Sequence, residues 1–157
     1  MLNKKGFTLV ELVIVVIILG VILAFALPNI TSTLERNKKD QMIIDAKDMV
    51  EKAKNYALKT NGYPIDDEDD STADCKSFTL NDIDPRNEIK ESPFGSDYIT
   101  DSFVKICLES SKYIYYIRLK DLVGNSIGII DETGNTIDGI DYMKLNESNK
   151  YKLVKIS

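Results

Sequence analysis

The sequence predicts an α+β protein in which one long N-terminal helix packs on a four- to five-stranded antiparallel sheet. Three observations lead to this prediction. An apolar run of about membrane length lies near the N-terminus, and an apolar stripe at helical spacing follows it. The last third of the chain holds clusters of β-branched and aromatic residues separated by turn residues. The length of 157 residues suits one domain plus an appendage.

The composition excludes several classes of function. The formal net charge is −5 and no basic patch is interleaved with aromatic residues, so the chain has no general attraction to nucleic acid. The sequence contains no histidine, which removes the usual Ser-His-Asp and Cys-His catalysis and the commonest ligand of catalytic zinc. We therefore do not expect a hydrolase of these two kinds or a zinc enzyme with histidine ligands.

The first element is the apolar segment at residues 7–27. These 21 residues would extend about 31 Å as a helix, which is about the thickness of a bilayer's hydrocarbon core. Many are β-branched and would suit a strand in water, but a segment in lipid must satisfy its own backbone hydrogen bonds, so a helix is expected. A secretory signal peptide is the alternative, with Lys4 and Lys5 as its basic region and residues 24–26 as a small-x-small cleavage site.

One carboxylate, Glu11, lies near the start of this apolar run. A charge at the bilayer centre costs about 2.5–3.5 kcal/mol on insertion scales, and the sequence neighbours of Glu11 offer no partner. A side chain that reaches the membrane interface is the alternative interpretation of this residue. Basic residues flank the run on both sides, so local charge counting does not decide its orientation.

The first eleven residues, MLNKKGFTLVE, closely resemble the class III signal of type IV prepilins and their pseudopilin relatives. The match includes the basic leader, the Gly6–Phe7 junction, the acid four residues past Phe7, the apolar run and Pro28 beyond it. The resemblance implies that a prepilin peptidase cuts between Gly6 and Phe7 on the cytoplasmic face. It also implies that this enzyme methylates the new amino group of Phe7.

The same resemblance implies a role for this segment in assembly. The apolar helix would hold the subunit in the membrane and would later become the core of a helical fibre. The amine of Phe7 and the carboxylate of Glu11 lie about one helical turn apart, so Glu11 of one subunit would meet the Phe7 amine of its neighbour and set the register. Pro28 would kink or loosen the helix, although it also simply marks the membrane exit. We expect Phe7, Glu11 and Pro28 to act in subunit assembly.

Residues 28–60 form the predicted amphipathic half of the helix. A polar stretch at 35–41 precedes an apolar stripe at helical spacing. Because the stripe covers only about two heptads, we expect it to pack on a sheet and not in a coiled coil, and Asn61-Gly62 supplies the stop signal. The stripe consists of Met42, Ile43, Ala46, Met49, Val50, Ala53, Tyr56 and Ala57.

The remaining residues, 61–157, form the predicted globular head. We expect an irregular loop at 61–102 and the antiparallel sheet at 103–157, with Ser110-Ser111 as a hairpin turn. Strands are predicted at 103–108, 113–119, 126–131, 136–137 and 150–156.

An acidic run at 66–70 raises the possibility of calcium binding. Its spacing does not match the calcium loop pattern and it contains no glycine, so a solvated loop is favoured and no metal site is expected. The weak candidate ligands are Asp66, Asp67, Asp69 and Asp70.

The two cysteines, Cys75 and Cys107, fit an extracytoplasmic disulfide better than a metal site. Such a bridge would tie the irregular loop to the sheet. Many pilins instead bridge a C-terminal loop, so this placement departs from the pattern of the family.

The resemblance implies a structural subunit of a type IV pilus fibre, which is not an enzyme and carries no cofactor. Its partners would be copies of itself or other pilins, a prepilin peptidase and the assembly machinery in the membrane. It would cross the inner membrane once before assembly and would lie outside the cell in the fibre. A pseudopilin of a type II secretion or DNA-uptake system is the alternative within the class, and a single-pass membrane-anchored extracellular binding domain is the alternative from another class.

Overall fold

The fold combines one long helix with an antiparallel sheet, as the sequence predicts. The chain divides into two compact units, residues up to Asn37 and Lys38–Ser157, with a long helix α1 that contributes to both. The computed structural model describes residues 7–65, 74–89, 91–129, 135–148 and 150–157. At residues 26–29 the backbone is described and the side chains are not.

Helix α1 spans Leu9–Lys59, which is 51 residues, and it remains helical through Pro28. Its end lies one residue before the predicted boundary. Asn61 has a left-handed backbone with φ of 50°, and the Gly62 N–H donates to the Ala57 carbonyl at 2.8 Å. This is the capping pattern of a Schellman motif, so Asn61-Gly62 ends the helix in the predicted way.

The predicted apolar stripe of α1 forms the helical half of the hydrophobic core. Seven of its eight side chains are fully buried, and Tyr56 is partly buried against the same core. The stripe therefore packs on the sheet, as its short length predicted. The fully buried members are Met42, Ile43, Ala46, Met49, Val50, Ala53 and Ala57.

In the described residues the sheet has six strands, more than the four or five predicted. The strands are β1 Asp74–Thr79, β2 Phe103–Glu109, β3 Lys112–Lys120, β4 Ser126–Ile127, β5 Ile140–Asp141 and β6 Val154–Lys155. Their pairings are antiparallel, the strand order is β1-β2-β3-β4-β6, and β5 pairs with β3 outside this path. A short helix α2, Leu80–Ile83, follows β1.

Strands β2 and β3 form the predicted hairpin at the centre of the sheet. Ser110 and Ser111 make its turn with φ of 48° and 62°, the two positive values that a two-residue type I′ turn requires. Alternate residues point into the core, as in any half-buried strand. The inward residues are Val104 and Ile106 of β2 and Ile117 and Leu119 of β3.

The segment 61–102, predicted to be irregular, contains strand β1 and helix α2. Strand β1 lies at the edge of the sheet and buries only Phe78, while most of its other side chains are exposed. Its sequence DCKSFT therefore lacks the apolar alternation that identifies a half-buried strand. The prediction of an irregular loop was wrong for this reason.

Two later strands are shorter than predicted. The strand expected at 126–131 ends at Ile127, because Gly128 has φ of 77° and a Cβ there would lie 1.9 Å from the Ile117 carbonyl oxygen. Only glycine permits that approach of two backbones. The strand expected at 150–156 is a 3₁₀ helix over Lys150–Leu153 that leads into the two-residue β6.

Candidate functional site

The start of helix α1 is built around Thr8 and Glu11. The Thr8 backbone N–H and its hydroxyl both donate to Glu11 Oε2 at 2.8 Å, and the Glu11 N–H donates to Thr8 Oγ1 at 3.3 Å. With Leu9 as the first helical residue, Thr8 occupies the N-cap position and Glu11 the third position. This reciprocal pair is a capping box, which satisfies donors that a helix N-terminus otherwise leaves open.

The capping box corrects one sequence prediction. The neighbours of Glu11 were expected to offer no partner, yet Thr8 supplies two donors to its carboxylate. The pattern Thr-x-x-Glu directly before an apolar run was visible in the sequence and is the recognised signal for this arrangement. Glu11 therefore has a local role in starting the helix, whatever it contacts in an assembly.

The helix that follows this cap exposes its apolar side chains. Every large apolar side chain from Phe7 to Phe25 is exposed within this chain. In the described part of the chain one helix, α1, is long and apolar enough to cross a membrane by length and composition, with a mean hydropathy of 3.2 over 18 residues. A signal sequence meets the same criterion, so this property alone does not separate the two interpretations.

Of the residues predicted for processing and assembly, Phe7 is described and exposed, directly before the Thr8 cap. Gly6 lies outside the described residues. Pro28 lies within α1, where the backbone is helical on both sides. The cleavage and methylation roles of Gly6 and Phe7 stay predictions, as does the assembly role of Pro28.

Cys75 and Cys107 are joined in a disulfide. They are directly opposite each other in the β1–β2 ladder, so the bridge joins neighbouring strands instead of tying a loop to the sheet. Cys107 is buried, whereas Cys75 is exposed on the edge strand.

No group of three or more acidic or cysteine side chains in the described residues has a geometry that would hold a metal ion. The weak candidates Asp66, Asp67, Asp69 and Asp70 lie outside the described residues. Calcium binding by the acidic run is therefore untested.

A second polar site, in the loop after β3, was missed by sequence reasoning. The fully buried carboxylate of Asp121 accepts hydrogen bonds from the backbone N–H groups of Val123, Gly124 and Asn125 at 2.8–3.1 Å. It also accepts from Asn125 Nδ2 at 2.7 Å and from Ser92 Oγ at 2.8 Å. An aspartate that bonds the backbone N–H groups after it is a turn-forming residue, and Asp-x-x-Gly-Asn was the available signal.

A third polar group connects α1 to the segment after α2. Lys52 Nζ donates to Asp84 at 3.2 Å and also to Glu88. Burial alone would raise the pKa of Asp84, but hydrogen bonds from the Ile89 N–H and from Lys52 outweigh it and lower this pKa below its usual value. The hydrogen bond that Lys52 donates to the Glu88 carboxylate is the main reason that the pKa of Lys52 is raised. Lys52 thus forms ion pairs with both Asp84 and Glu88, and these pairs stabilise the contact between α1 and the segment after α2.

Comparison with known proteins places residues 1–27 in the family model described as the prokaryotic N-terminal methylation motif. The type II secretion system core protein G of Pectobacterium carotovorum is 26% identical over 104 residues, which cover 61% of this chain and 65% of that protein. The protein of the same description from Vibrio cholerae is 27% identical over 106 residues, covering 62% of this chain and 70% of that protein. The matched region thus spans about two thirds of these relatives, and no solved structure gives a significant match.

These matches confirm the resemblance stated from the first eleven residues. The named relatives are type II secretion proteins, which supports the pseudopilin alternative over the pilus subunit that the sequence alone favoured.

Proposed function

We propose that this protein is a structural subunit of the pseudopilin kind, which is cut between Gly6 and Phe7, methylated on Phe7, and assembled through helix α1. The observation that supports this most is that an N-terminal methylation motif continues into a helix with exposed apolar side chains. Glu11 is held by hydrogen bonds in the first turn of that helix. A helix of this kind is stable only in lipid or among other apolar helices.

The geometry of Glu11 gives the proposal its physical basis. Both Thr8 bonds go to Oε2, and among the described residues no hydrogen bond to Oε1 is found. The carboxylate therefore keeps room for a second donor. A protonated α-amine on Phe7 of a neighbouring subunit would supply it and would neutralise the charge inside an apolar fibre core. Such a pair also fixes the axial position of each subunit relative to the next.

The remaining parts of the function follow from the same arrangement. Before assembly the subunit crosses the inner membrane once, and afterwards its head lies on the outer side. Its partners are copies of itself or related subunits, the prepilin peptidase and the membrane assembly machinery. Pro28 provides a point where the helix loosens for packing. The protein performs no catalysis of its own.

The charge of Glu11 is tested separately from its capping role. Glu11→Gln keeps an acceptor for the Thr8 N–H but removes the charge, whereas Thr8→Ala removes the cap and keeps the charge. We expect Glu11→Gln and Glu11→Ala to abolish incorporation into pelletable polymers. We expect Thr8→Ala to cost about 1 kcal/mol of helix stability and to lower incorporation only modestly.

Normal polymers from Glu11→Gln would contradict the proposed pairing. An anchored binding domain that never polymerises would keep its function in this variant, so the same experiment distinguishes that alternative. Mass spectrometry of the mature protein tests the processing step. We expect a chain that begins at Phe7 and carries one added methyl group, and a chain that begins at Leu27 would support a secretory signal peptide instead.

A further inference from the structure

The two residues of the Cys75–Cys107 disulfide differ in their exposure to solvent. Cys75 is exposed on the edge strand β1, whereas Cys107, directly opposite it on β2, is 2% exposed. Both cysteines line a surface cavity of about 260 Å³, so a small molecule can reach the bridge from solvent. The other residues that line this cavity are Lys105, Glu109, Tyr116, Asp138 and Gly139. A thiol that enters the cavity therefore meets a disulfide whose more accessible residue is Cys75.

The charges around the cavity decide which thiol compounds it admits most readily. Lys105 Nζ donates to Asp138 at 3.0 Å, and the Tyr116 hydroxyl donates to Glu109 at 3.0 Å. Among the described residues the lining thus carries one ammonium group and two carboxylates. Because the carboxylates outnumber the lysine, a neutral thiol compound is favoured over an anionic one.

The last two residues of β1 are anchored without the bridge. Phe78 is buried, and its ring lies 5.6 Å from the ring of Tyr56 on α1. Directly after the strand, the Leu80 N–H donates to the Ser102 carbonyl at 2.9 Å, and the Leu80 side chain is buried. This end of the strand therefore keeps its position through contacts with the hydrophobic core, whatever the state of the cysteines.

The first four residues of β1, 74–77, are held differently. The side chains of residues 75–77 are exposed, so this stretch buries little apolar surface. Besides the ladder and the bridge, the described residues give it one exposed hydrogen bond, from Lys76 Nζ to the Tyr63 carbonyl at 3.3 Å. Segments with few buried contacts open locally at a low free energy. The bridge is therefore the strongest link between this stretch and β2.

We propose that this disulfide is a thiol-exchange site, at which an external dithiol attacks Cys75 and frees residues 74–77 from β2. A thiolate of the dithiol bonds to Cys75 Sγ, and the bond to Cys107 breaks. Its electron pair stays on Cys107 Sγ, which takes up a proton. The second thiolate of the dithiol then attacks the mixed disulfide and displaces Cys75 Sγ, which also takes up a proton. The dithiol is thereby oxidised by two electrons to a disulfide, and the bridge is reduced to two thiols.

The exchange makes one edge of the sheet dependent on the redox state. In the ladder, residues 74–77 are paired with residues 108–105 of β2, so release of the first stretch leaves this part of β2 without its neighbour. An unpaired strand edge is a template for pairing with another strand. This inference concerns the head and holds whether or not helix α1 assembles into a polymer.

The direction of attack is tested with mercaptoethanol, a neutral monothiol that forms a mixed disulfide with one cysteine. The full chain in detergent is treated briefly and quenched with acid, its free thiols are blocked, and its peptides are mapped by mass spectrometry. We expect the adduct on Cys75 in about tenfold excess over the adduct on Cys107, because burial shields the second sulfur. Equal adducts on the two cysteines, or an excess on Cys107, would overturn the assignment.

Two matched variants measure the accessibility of each sulfur alone. Cys107→Ala leaves the Cys75 thiol, and Cys75→Ser leaves the Cys107 thiol. We expect the Cys75 thiol to react with a maleimide about tenfold faster in the folded chain, and the two rates to agree within about twofold in concentrated urea. Equal rates in the folded chain would contradict the proposed direction of attack.

Hydrogen exchange of the full chain, followed by mass spectrometry of overlapping peptides, tests the release of β1. After reduction by dithiothreitol, we expect the amides of residues 74–77 to exchange about tenfold faster and those of residues 78–83 to change by less than about twofold. The double variant Cys75→Ser, Cys107→Ala is the control, and it should show the released pattern with and without dithiothreitol. Unchanged protection of residues 74–77 would mean that the ladder alone holds them and would overturn the inference. Loss of protection throughout β2 and β3 would also overturn it, because the bridge would then hold the whole head together.

Discussion

Helix α1 has a first part within residues 7–27 and a second part within residues 28–60, and the two carry similar apolar side chains in opposite environments. Ile17 in the first part is 60% exposed, whereas Ile43 in the second part is 1% exposed. The first part is apolar on every side, and the second part carries a stripe that the sheet covers. The head therefore completes its hydrophobic core within the chain, while the apolar side chains of the first part are exposed within the chain.

This difference has a consequence for stability. Core contacts made within the chain contribute to the free energy of unfolding of the head, whereas exposed apolar side chains contribute only when lipid or another subunit surrounds them. Substitutions in the two parts should accordingly affect different measurements. Stability of the isolated chain reports on the head, and under the proposed function incorporation into polymers reports on the N-terminal part.

The largest expected effect on stability comes from a cavity in the head. Ile117→Ala removes a fully buried side chain that lies opposite Val104 in the β2–β3 ladder, and we expect a loss of about 2–5 kcal/mol. Ile17→Ala is the matched control and should leave the unfolding midpoint of the head unchanged. Urea denaturation of the full chain in detergent, followed by near-ultraviolet circular dichroism, measures both. Equal losses in the two variants would mean that the parts do not differ in this way.

The next largest effect concerns the disulfide. Cys75 and Cys107 are 32 residues apart in sequence, and closing such a loop restricts the unfolded chain by about 3–4 kcal/mol in the entropy model. The double variant Cys75→Ser, Cys107→Ala should lose about that much stability, and added reductant should not change it further. Reduced wild type should match the double variant. A wild type whose unfolding midpoint is the same with and without reductant would contradict this prediction.

The parts of the fold that the sequence predicted well are those with a strong periodic signal. The apolar stripe of α1 and the β2–β3 hairpin follow from helical spacing and from alternation, and both are observed. Strand β1 was missed because an edge strand buries little and its sequence DCKSFT carries no alternation. Its position is decided by pairing with β2, a contact between residues distant in sequence.

The residues of the candidate site likewise divide into those with a local sequence pattern and those positioned by contacts distant in sequence. The resemblance at residues 1–11 identified Glu11 as important, and the Thr8 capping box was also legible as a local pattern. The turn built by Asp121 depends in part on Ser92, which is 29 residues away in sequence. Tertiary contacts of this kind cannot be obtained from spacing alone.

The smallest expected effect is a dependence of head stability on pH. The pKa of Asp84 is lowered from its usual 3.8, so its contribution to stability is fully present above about that pH and is lost as the pH falls through the lower folded value. The raised pKa of Lys52 keeps its partner charged throughout this range. Asp84→Asn should cost about 1–2 kcal/mol at neutral pH, and its difference from wild type should shrink below the usual pKa of aspartate. Parallel curves for wild type and Asp84→Asn across the acid range would contradict the assignment.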